Sequence, residues 1–224
     1  MNKKRKSLLA VSIVLLLTAL GLLAFLSGNR ANESANLKLA RIACLGDSIT
    51  EASGYPEYLQ ALLGENSVVG NFGVSGATVI FNSYKPYYFE TAFERAKRFE
   101  PTTVIIMLGT NDARTDYYQQ INNFIDDYTR IINNIQMLSS KPQIFLVKPP
   151  PIFNNTYSLN GTSFVEGVLP RIEQVANTFG LPVIDVYKSL ANHPEYFPDG
   201  VHPNNEGARI LADTVYKAIT SNRP

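Results

Sequence analysis

The sequence is short of several residues on which common kinds of functional site depend. Its 224 residues include one cysteine, two histidines and no tryptophan. A single cysteine, Cys44, excludes an intrachain disulfide and a cysteine-based metal site, and its place in an apolar run predicts a core position. The absence of tryptophan removes a frequent platform for sugar rings. Any mechanism that needs a histidine has only two candidates.

Neither sign of charge dominates the chain. It has 20 Lys and Arg against 19 Asp and Glu, a net charge of +1, and the balance is 16 against 19, or −3, without the four basic residues at positions 3–6. A nucleic-acid-binding domain carries a clustered basic surface, so no nucleic acid is expected as a partner. With 45% hydrophobic and 17% charged residues, the composition is that of a folded globular domain.

The first 28 residues have the pattern of a membrane-targeting segment. Basic residues 3–6 precede an uncharged run of roughly 20 residues, Leu8 to Ser27, which is enough to cross about 30 Å of hydrocarbon. We expect a transmembrane signal anchor in residues 1–28, with the rest of the chain outside the cytoplasm. The alternative is a signal peptide that is cleaved to release a secreted protein.

The polar residues 29–36 predict a linker, and residues 37–224 one domain. In that domain, apolar strand-like runs alternate with stretches of helical period. The predicted strands are Leu39–Leu45, Val68–Phe72, Thr103–Leu108, Gln143–Val147 and Pro182–Asp185. The predicted helices are Tyr55–Leu63, Phe89–Phe99, Tyr118–Leu138, Ser163–Phe179 and Asn205–Ile219, the last capped by Asn204. This alternation predicts an α/β fold, with helices on both faces of a five-stranded parallel sheet.

Polar turns follow the first three predicted strands and should meet at one edge of the sheet. They contain Gly46-Asp47-Ser48, Gly73 to Gly76, and Gly109 to Asp112. Ligands of such sheets bind beyond the carboxyl ends of the strands. The segment Asp199 to His202, before the last helix, can return to the same edge. The sequence therefore predicts a site there.

A serine and a histidine at this edge suggest acyl transfer, which needs a hydroxyl, a base and a group that orients the base. Ser48 stands just after a strand, beside Gly46. His202 has a carboxylate three positions upstream, Asp199, and the intervening Gly200 permits a tight turn. His193 has no such partner and is interpreted as a surface or packing residue.

The nucleophile elbow Gly-x-Ser-x-Gly of α/β-hydrolases is absent around both candidate serines. The segment that begins at Gly46 lacks the second glycine, and the one around Ser75 has it one place early. Ser75 is therefore interpreted as a turn residue.

Four segments together resemble the SGNH or GDSL-like hydrolases, in order and across almost the whole domain. They are Gly46 to Ile49, Asn71 to Gly76, Gly109 to Asp112, and Asp199 to His202. The resemblance implies a three-layer α/β/α, flavodoxin-like fold and a carboxylic ester hydrolase that needs neither cofactor nor metal. Ile49 stands where the family name has leucine, a change between apolar residues of the same size.

The resemblance also implies a role for each residue of the predicted site. Ser48 would be the nucleophile, His202 the general base and acid, and Asp199 the carboxylate that fixes the tautomer of His202. The backbone N–H groups of Ser48 and Gly76 and the side-chain amide of Asn111 would form the oxyanion hole. Two further carboxylates, Asp47 and Asp112, are interpreted as hydrogen-bond acceptors that brace loops.

The substrate is less well defined by the sequence. The segment Leu181 to Gly207 is similar to carbohydrate O-acetylesterases, including the sialate O-acetylesterase-like group, so we expect a small-molecule or glycan ester. A glycan O-acetyltransferase, a lysophospholipase or thioesterase, and a glycan-binding module without activity remain alternatives. The aromatic residues Phe81, Tyr84, Tyr87, Tyr88 and Phe89 could stack on sugars, line an acyl pocket or pack internally.

Overall fold

A computed structural model describes residues 39–116 and 118–221 of the protein. The membrane anchor and linker that the sequence predicts for residues 1–36 lie outside these residues. Within them, no helix is both long enough and apolar enough to span a membrane.

Five parallel strands form one sheet with the order β2-β1-β3-β4-β5. The strands are β1 (Ala40–Gly46), β2 (Ser67–Gly73), β3 (Thr103–Met107), β4 (Gln143–Lys148) and β5 (Val183–Asp185). Each lies within one residue of its predicted bounds at either end. The prediction succeeds because strands covered on both faces consist almost wholly of apolar residues.

Helices cover both faces of the sheet. The α-helical segments are α1 (Ser48–Ala52), α2 (Tyr55–Leu63), α3 (Thr91–Arg98), α4 (Phe124–Gln136), α5 (Gly161–Ser163), α6 (Leu169–Phe179), α7 (Val186–Leu190) and α8 (Asn205–Ser221). Successive residues of β1 alternate between two cores: Ala43 and Leu45 pack with α3, α4 and α6, whereas Ile42 and Cys44 pack with α2, α7 and α8. The predicted three-layer α/β/α fold is confirmed.

Several helix boundaries differ from the prediction. The predicted helix Tyr118–Leu138 begins as 3₁₀ at Tyr118–Asn123, and the predicted helix Ser163–Phe179 begins with a π-helical turn at Phe164–Val168. The predicted helix Phe89–Phe99 starts at Thr91, after a 3₁₀ turn. Hydrophobic periodicity does not distinguish these tighter or wider turns from an α-helix.

Helix α8 begins where the sequence predicts. The Asn204 side chain accepts hydrogen bonds from the backbone N–H groups of Glu206 and Gly207, each at 3.1 Å. These bonds satisfy donors that have no partner inside the helix. The cap fixes the start of α8 three residues after His202, and so helps to place the histidine.

Candidate active site

The polar turns predicted to converge do lie together at the carboxyl edge of the sheet. Ser48, Gly76, Asn111 and His202 line one open cavity of about 250 Å³. Asp199 is hydrogen-bonded to His202. The structure therefore brings all five predicted site residues together.

Ser48 is presented by a tight connection between β1 and α1. Asp47 caps α1 through a 2.9 Å hydrogen bond from the Ile49 N–H. A Cβ atom at Gly46 would lie only 1.9 Å from Thr50 Oγ1, so the connection requires glycine. The Ser48 Oγ lies 2.8 Å from His202 Nε2, within direct proton-transfer distance.

The Asp199 carboxylate closes the turn that holds His202. Asp199 Oδ1 accepts from the backbone N–H groups of Val201 at 3.0 Å and His202 at 2.8 Å. Asp199 Oδ2 lies 2.7 Å from His202 Nδ1. With a proton on Nδ1, the ring donates to Asp199 and leaves Nε2 free to accept from Ser48.

These hydrogen bonds keep Asp199 ionised. Partial burial raises its pKa, but the backbone and ring N–H groups of His202, the Val201 N–H and the Tyr157 hydroxyl outweigh burial and hold the pKa well below its ordinary value. A carboxylate that stays charged across the neutral range can stabilise an imidazolium beside it.

Three residues that line the cavity, Ser48, Gly76 and Asn111, carry N–H donors. Gly76 has a φ of 78°, a conformation that favours glycine, and its N–H makes no hydrogen bond to another described residue. The Ser48 N–H opens α1 and has no acceptor inside the helix. The Asn111 Nδ2 donates to the Ala77 carbonyl at 3.0 Å, and its second proton remains available because an amide nitrogen carries two.

Asp47 and Asp112 brace loops, as predicted, and both are buried. The Asp112 carboxylate accepts from the N–H groups of Val79 and Ile80 at 2.9 to 3.1 Å. Burial raises the pKa of Asp47 to about 6 and that of Asp112 to about 7, although the hydrogen bonds that both accept favour the charged form. These carboxylates hold the turns that carry Ser48 and Gly76.

The two residues that the sequence analysis set aside make other contacts. The Ser75 hydroxyl and N–H both donate to the Glu51 carboxylate, so Glu51 engages this hydroxyl. His193 lies 2.8 Å from Glu195 and stacks on Tyr196, with ring centroids 5.0 Å apart.

Three residues that the sequence analysis did not select also line the cavity: Arg114, Tyr157 and Leu159. The Arg114 guanidinium is paired with Asp116 at 3.0 Å. Tyr157 donates its hydroxyl to Asp199. Arg114 and Tyr157 lie in loops that follow strands of the sheet, at the edge where ligands are expected. Their position after these strands is the feature of the sequence that could have identified them.

The aromatic residues near the site mainly pack. Tyr87 is buried and donates to the Phe72 carbonyl at 2.7 Å, while Phe81, Tyr88 and Phe89 contact one another. Tyr84 is 83% exposed and lines a second cavity of about 420 Å³, which shares Ser75, Gly76, Asn111 and Arg114 with the first. One aromatic residue of the predicted cluster is therefore available to a ligand beside the site.

A metal centre has no evident place in the described part of the chain. No three His, Cys, Asp or Glu side chains there are grouped as metal ligands would be.

Fold and site define the class of protein. Residues 44–210 match the GDSL-like Lipase/Acylhydrolase family, and the chain belongs to that family. The predicted SGNH resemblance is thereby confirmed.

Two curated relatives differ in the reaction that their names give. An acetylxylan esterase of Xylanibacter ruminicola is 31% identical over 205 residues, which cover 80% of this chain and 43% of the relative. An O-acetyltransferase of Staphylococcus aureus is 25% identical over 195 residues, which cover 84% of this chain and 26% of the relative. The chain thus spans less than half the length of either relative.

Solved structures support the fold. A carbohydrate acetylesterase from Sinorhizobium meliloti superposes with a TM-score of 0.69 at 17% identity, over 81% of this chain and 99% of its own. An aryl esterase of M. smegmatis superposes with a TM-score of 0.68 at 18% identity, over the same shares of each chain. Identities this low establish the architecture alone.

Proposed function

We propose that this protein is a serine esterase that hydrolyses small acyl esters, in particular acetyl esters of carbohydrates. The observation that carries the proposal is the continuous hydrogen-bond path from Ser48 Oγ through the His202 ring to Asp199. The path opens into a small cavity beside unused N–H donors.

In the proposed mechanism, Ser48 Oγ attacks the ester carbonyl carbon while its proton moves to His202 Nε2. The carbonyl oxygen becomes an oxyanion that accepts hydrogen bonds from the Ser48 and Gly76 N–H groups and the Asn111 amide. One such donor typically stabilises the transition state by about 3 to 4 kcal/mol. His202 then donates its proton to the leaving alcohol, and an acyl-Ser48 remains.

In the second half of the reaction water is the nucleophile and Ser48 is the leaving group. His202 removes a proton from water, the hydroxide attacks the acyl-enzyme carbonyl, and the proton returns to Ser48 as the acid leaves. Asp199 remains ionised and stabilises the imidazolium in both halves of the reaction. No step requires a group beyond this chain, the ester and water.

The proposed substrate class has two supports. The cavity at Ser48 is small, about 250 Å³, and suits a short acyl group better than a fatty chain. The adjoining cavity of about 420 Å³, with Tyr84 and Lys85 in its wall, offers room and an aromatic face for an alcohol the size of a sugar. The similarity to an acetylxylan esterase is consistent with a small acyl group in the first cavity and a sugar in the second.

Acyl-chain length tests the proposal. We expect the purified domain, residues 37–224, to hydrolyse aryl acetate with a kcat/KM at least about tenfold above that for aryl octanoate, because a long chain cannot be desolvated in the small cavity. Acetylated xylose and xylo-oligosaccharides should release acetate. A preference for octanoate would instead favour a lysophospholipase or thioesterase. Absence of turnover on every ester would favour a binding module.

A glycan O-acetyltransferase is the second candidate, favoured by the similarity to the S. aureus enzyme over 84% of this chain. It would use the same residues, with a sugar hydroxyl replacing water in the second half of the reaction. Incubation with aryl acetate and a glycan acceptor separates the two. We expect free acetate as the main product, and acetylated glycan as the main product would identify a transferase.

We further propose that the enzyme acts outside the cytoplasm, held by an N-terminal anchor. The support is the basic cluster at positions 3–6 before the uncharged run Leu8 to Ser27. Full-length protein should then pellet with membranes and resist carbonate extraction, and protease added outside intact cells should release an active domain. A mature N-terminus between residues 28 and 36 would show a cleaved signal peptide.

A further inference from the structure

Tyr157 contacts both the acid and the base of the proposed triad. Its hydroxyl donates to Asp199 Oδ2 at 3.0 Å, the same oxygen that lies 2.7 Å from His202 Nδ1. Its ring stands edge-on to the imidazole, with centroids 5.4 Å apart and an interplanar angle of 88°. One side chain therefore constrains the carboxylate and the ring together.

The loop holds Tyr157 in this position without help from a substrate. Asn155 Oδ1 accepts from the Tyr157 N–H at 2.9 Å, and Asn155 Nδ2 donates to the carbonyls of Phe153 and Leu159. The Phe153 N–H donates to the Gly200 carbonyl at 2.8 Å, which ties this loop to the turn of Asp199 and His202. Such preorganisation limits the entropy lost when the phenol orders on Asp199.

Tyr157 completes the coordination of the carboxylate. Asp199 Oδ1 accepts two backbone N–H groups, and Oδ2 accepts one ring N–H and one phenol O–H. The hydrogen bond to Asp199 and its negative charge raise the pKa of Tyr157. The phenol consequently stays protonated, and remains a donor, throughout the neutral range.

We propose that Tyr157 is a positioning residue of the triad, which fixes the plane of the Asp199 carboxylate and partly neutralises the negative charge on the oxygen that faces His202. This inference rests on the proposed function. The Tyr157 hydroxyl is hydrogen-bonded to Asp199 and acts on the reaction through that carboxylate. By sharing Oδ2, it limits how strongly the carboxylate holds a proton on His202, so that His202 returns that proton readily to the leaving alcohol.

Other charged groups also face His202 and must be held constant in a test. Asp47 lies buried at the start of α1 and interacts electrostatically with His202. Arg114, paired with Asp116, lines the same cavity. Tyr157→Phe removes one oxygen atom and leaves these groups and the cavity wall in place.

The kinetic arm of the test compares wild type with Tyr157→Phe on aryl acetate across pH. We expect kcat to fall about three- to tenfold, and the acid limb of the kcat/KM profile to move upward by about half a pH unit, since the full charge of Asp199 then favours protonated His202. Tyr216→Phe, which removes a hydroxyl from α8 at a residue that lines neither cavity, is the matched control and should reproduce the wild-type profile.

The second arm needs no turnover. The chain has only two histidines, so the imidazole resonances of labelled protein are readily assigned with a His193→Gln variant. In Tyr157→Phe the His202 titration midpoint should move upward and that of His193 should not.

The two arms separate the possible failures. If Tyr157→Phe is active and both its His202 titration and its pH profile are unchanged, Tyr157 only lines the cavity and the inference is overturned. A shifted titration in a protein that hydrolyses no ester would support the coupling through Asp199 and overturn the proposed function instead.

Discussion

Replacing Ser48 by alanine should lower kcat for aryl acetate by at least about 10⁴-fold, because the hydroxyl forms the bond to the acyl group and no substitute stands in its place. The fold should survive the change. Ser48 is half-buried, and its hydroxyl is hydrogen-bonded to His202. Thermal unfolding should therefore match wild type to within a few degrees.

Ser75→Ala is the matched control for this prediction. The Ser75 hydroxyl lines the same cavity but donates to Glu51, so its loss should leave kcat within a few-fold of wild type. A serine-directed phosphonate should label Ser48 and leave Ser75 unmodified, as peptide mass spectrometry can show. Activity retained in Ser48→Ala, or label on Ser75, would mean that the wrong turn has been assigned.

The sheet could be predicted from sequence because one physical pattern determines it. In β1, β3 and β4 both faces are buried, so their sequences are nearly uninterrupted apolar runs. Glycine ends β1 and follows β3, and prolines follow β4. Ser48, Gly76 and Asn111 follow the ends of parallel strands. They therefore lie at one edge of the sheet, because the carboxyl ends of parallel strands meet there.

The helices are harder to predict because several are too short for a period to show. Helix α1 has five residues and lies wholly within the nucleophile turn, and α7 likewise has five. Neither was predicted. At Phe164–Val168, π-helical geometry brings Gly167 against the Tyr118 ring, where a Cβ would lie 2.1 Å from the hydroxyl. A tertiary contact of this kind leaves no local trace in the sequence.

The difference between local sequence patterns and tertiary contacts also explains which residues of the site the sequence did not predict. Asp199 and His202 are three residues apart, so turn chemistry links them. Tyr157 and Asp199 are 42 residues apart, and only the folded loop after β4 brings them together. The turn around Asn155 resembles many other loops, and a single tyrosine within it carries no motif.

Hydrolysis and acyl transfer to a glycan cannot be distinguished by the triad, because both require the same acyl-enzyme. What differs is which nucleophile reaches the acyl-Ser48. Tyr157 is 42% exposed at the wall of an open cavity, so water has access from that side. This access favours hydrolysis, and a transferase would need the bound acceptor itself to cover the cavity.

His202→Ala should be almost as damaging as Ser48→Ala, although it leaves the nucleophile in place. In the proposed mechanism His202 Nε2, which lies 2.8 Å from the Ser48 hydroxyl, is the base, and without it the serine must attack as a neutral alcohol. Because residues that act as one unit are strongly non-additive, the double variant should be no slower than the worse single one. Steady-state kinetics on aryl acetate measures all three.

His193→Ala is the matched control for this prediction, because His193 is the one other histidine of the chain. His193 is engaged by Glu195 and Tyr196, outside the path from Ser48 to Asp199. Its loss should change kcat less than about twofold. Comparable losses in the two histidine variants would overturn the base assignment. Additive losses in the double variant would mean that Ser48 and His202 act separately, which a shared proton transfer between them does not allow.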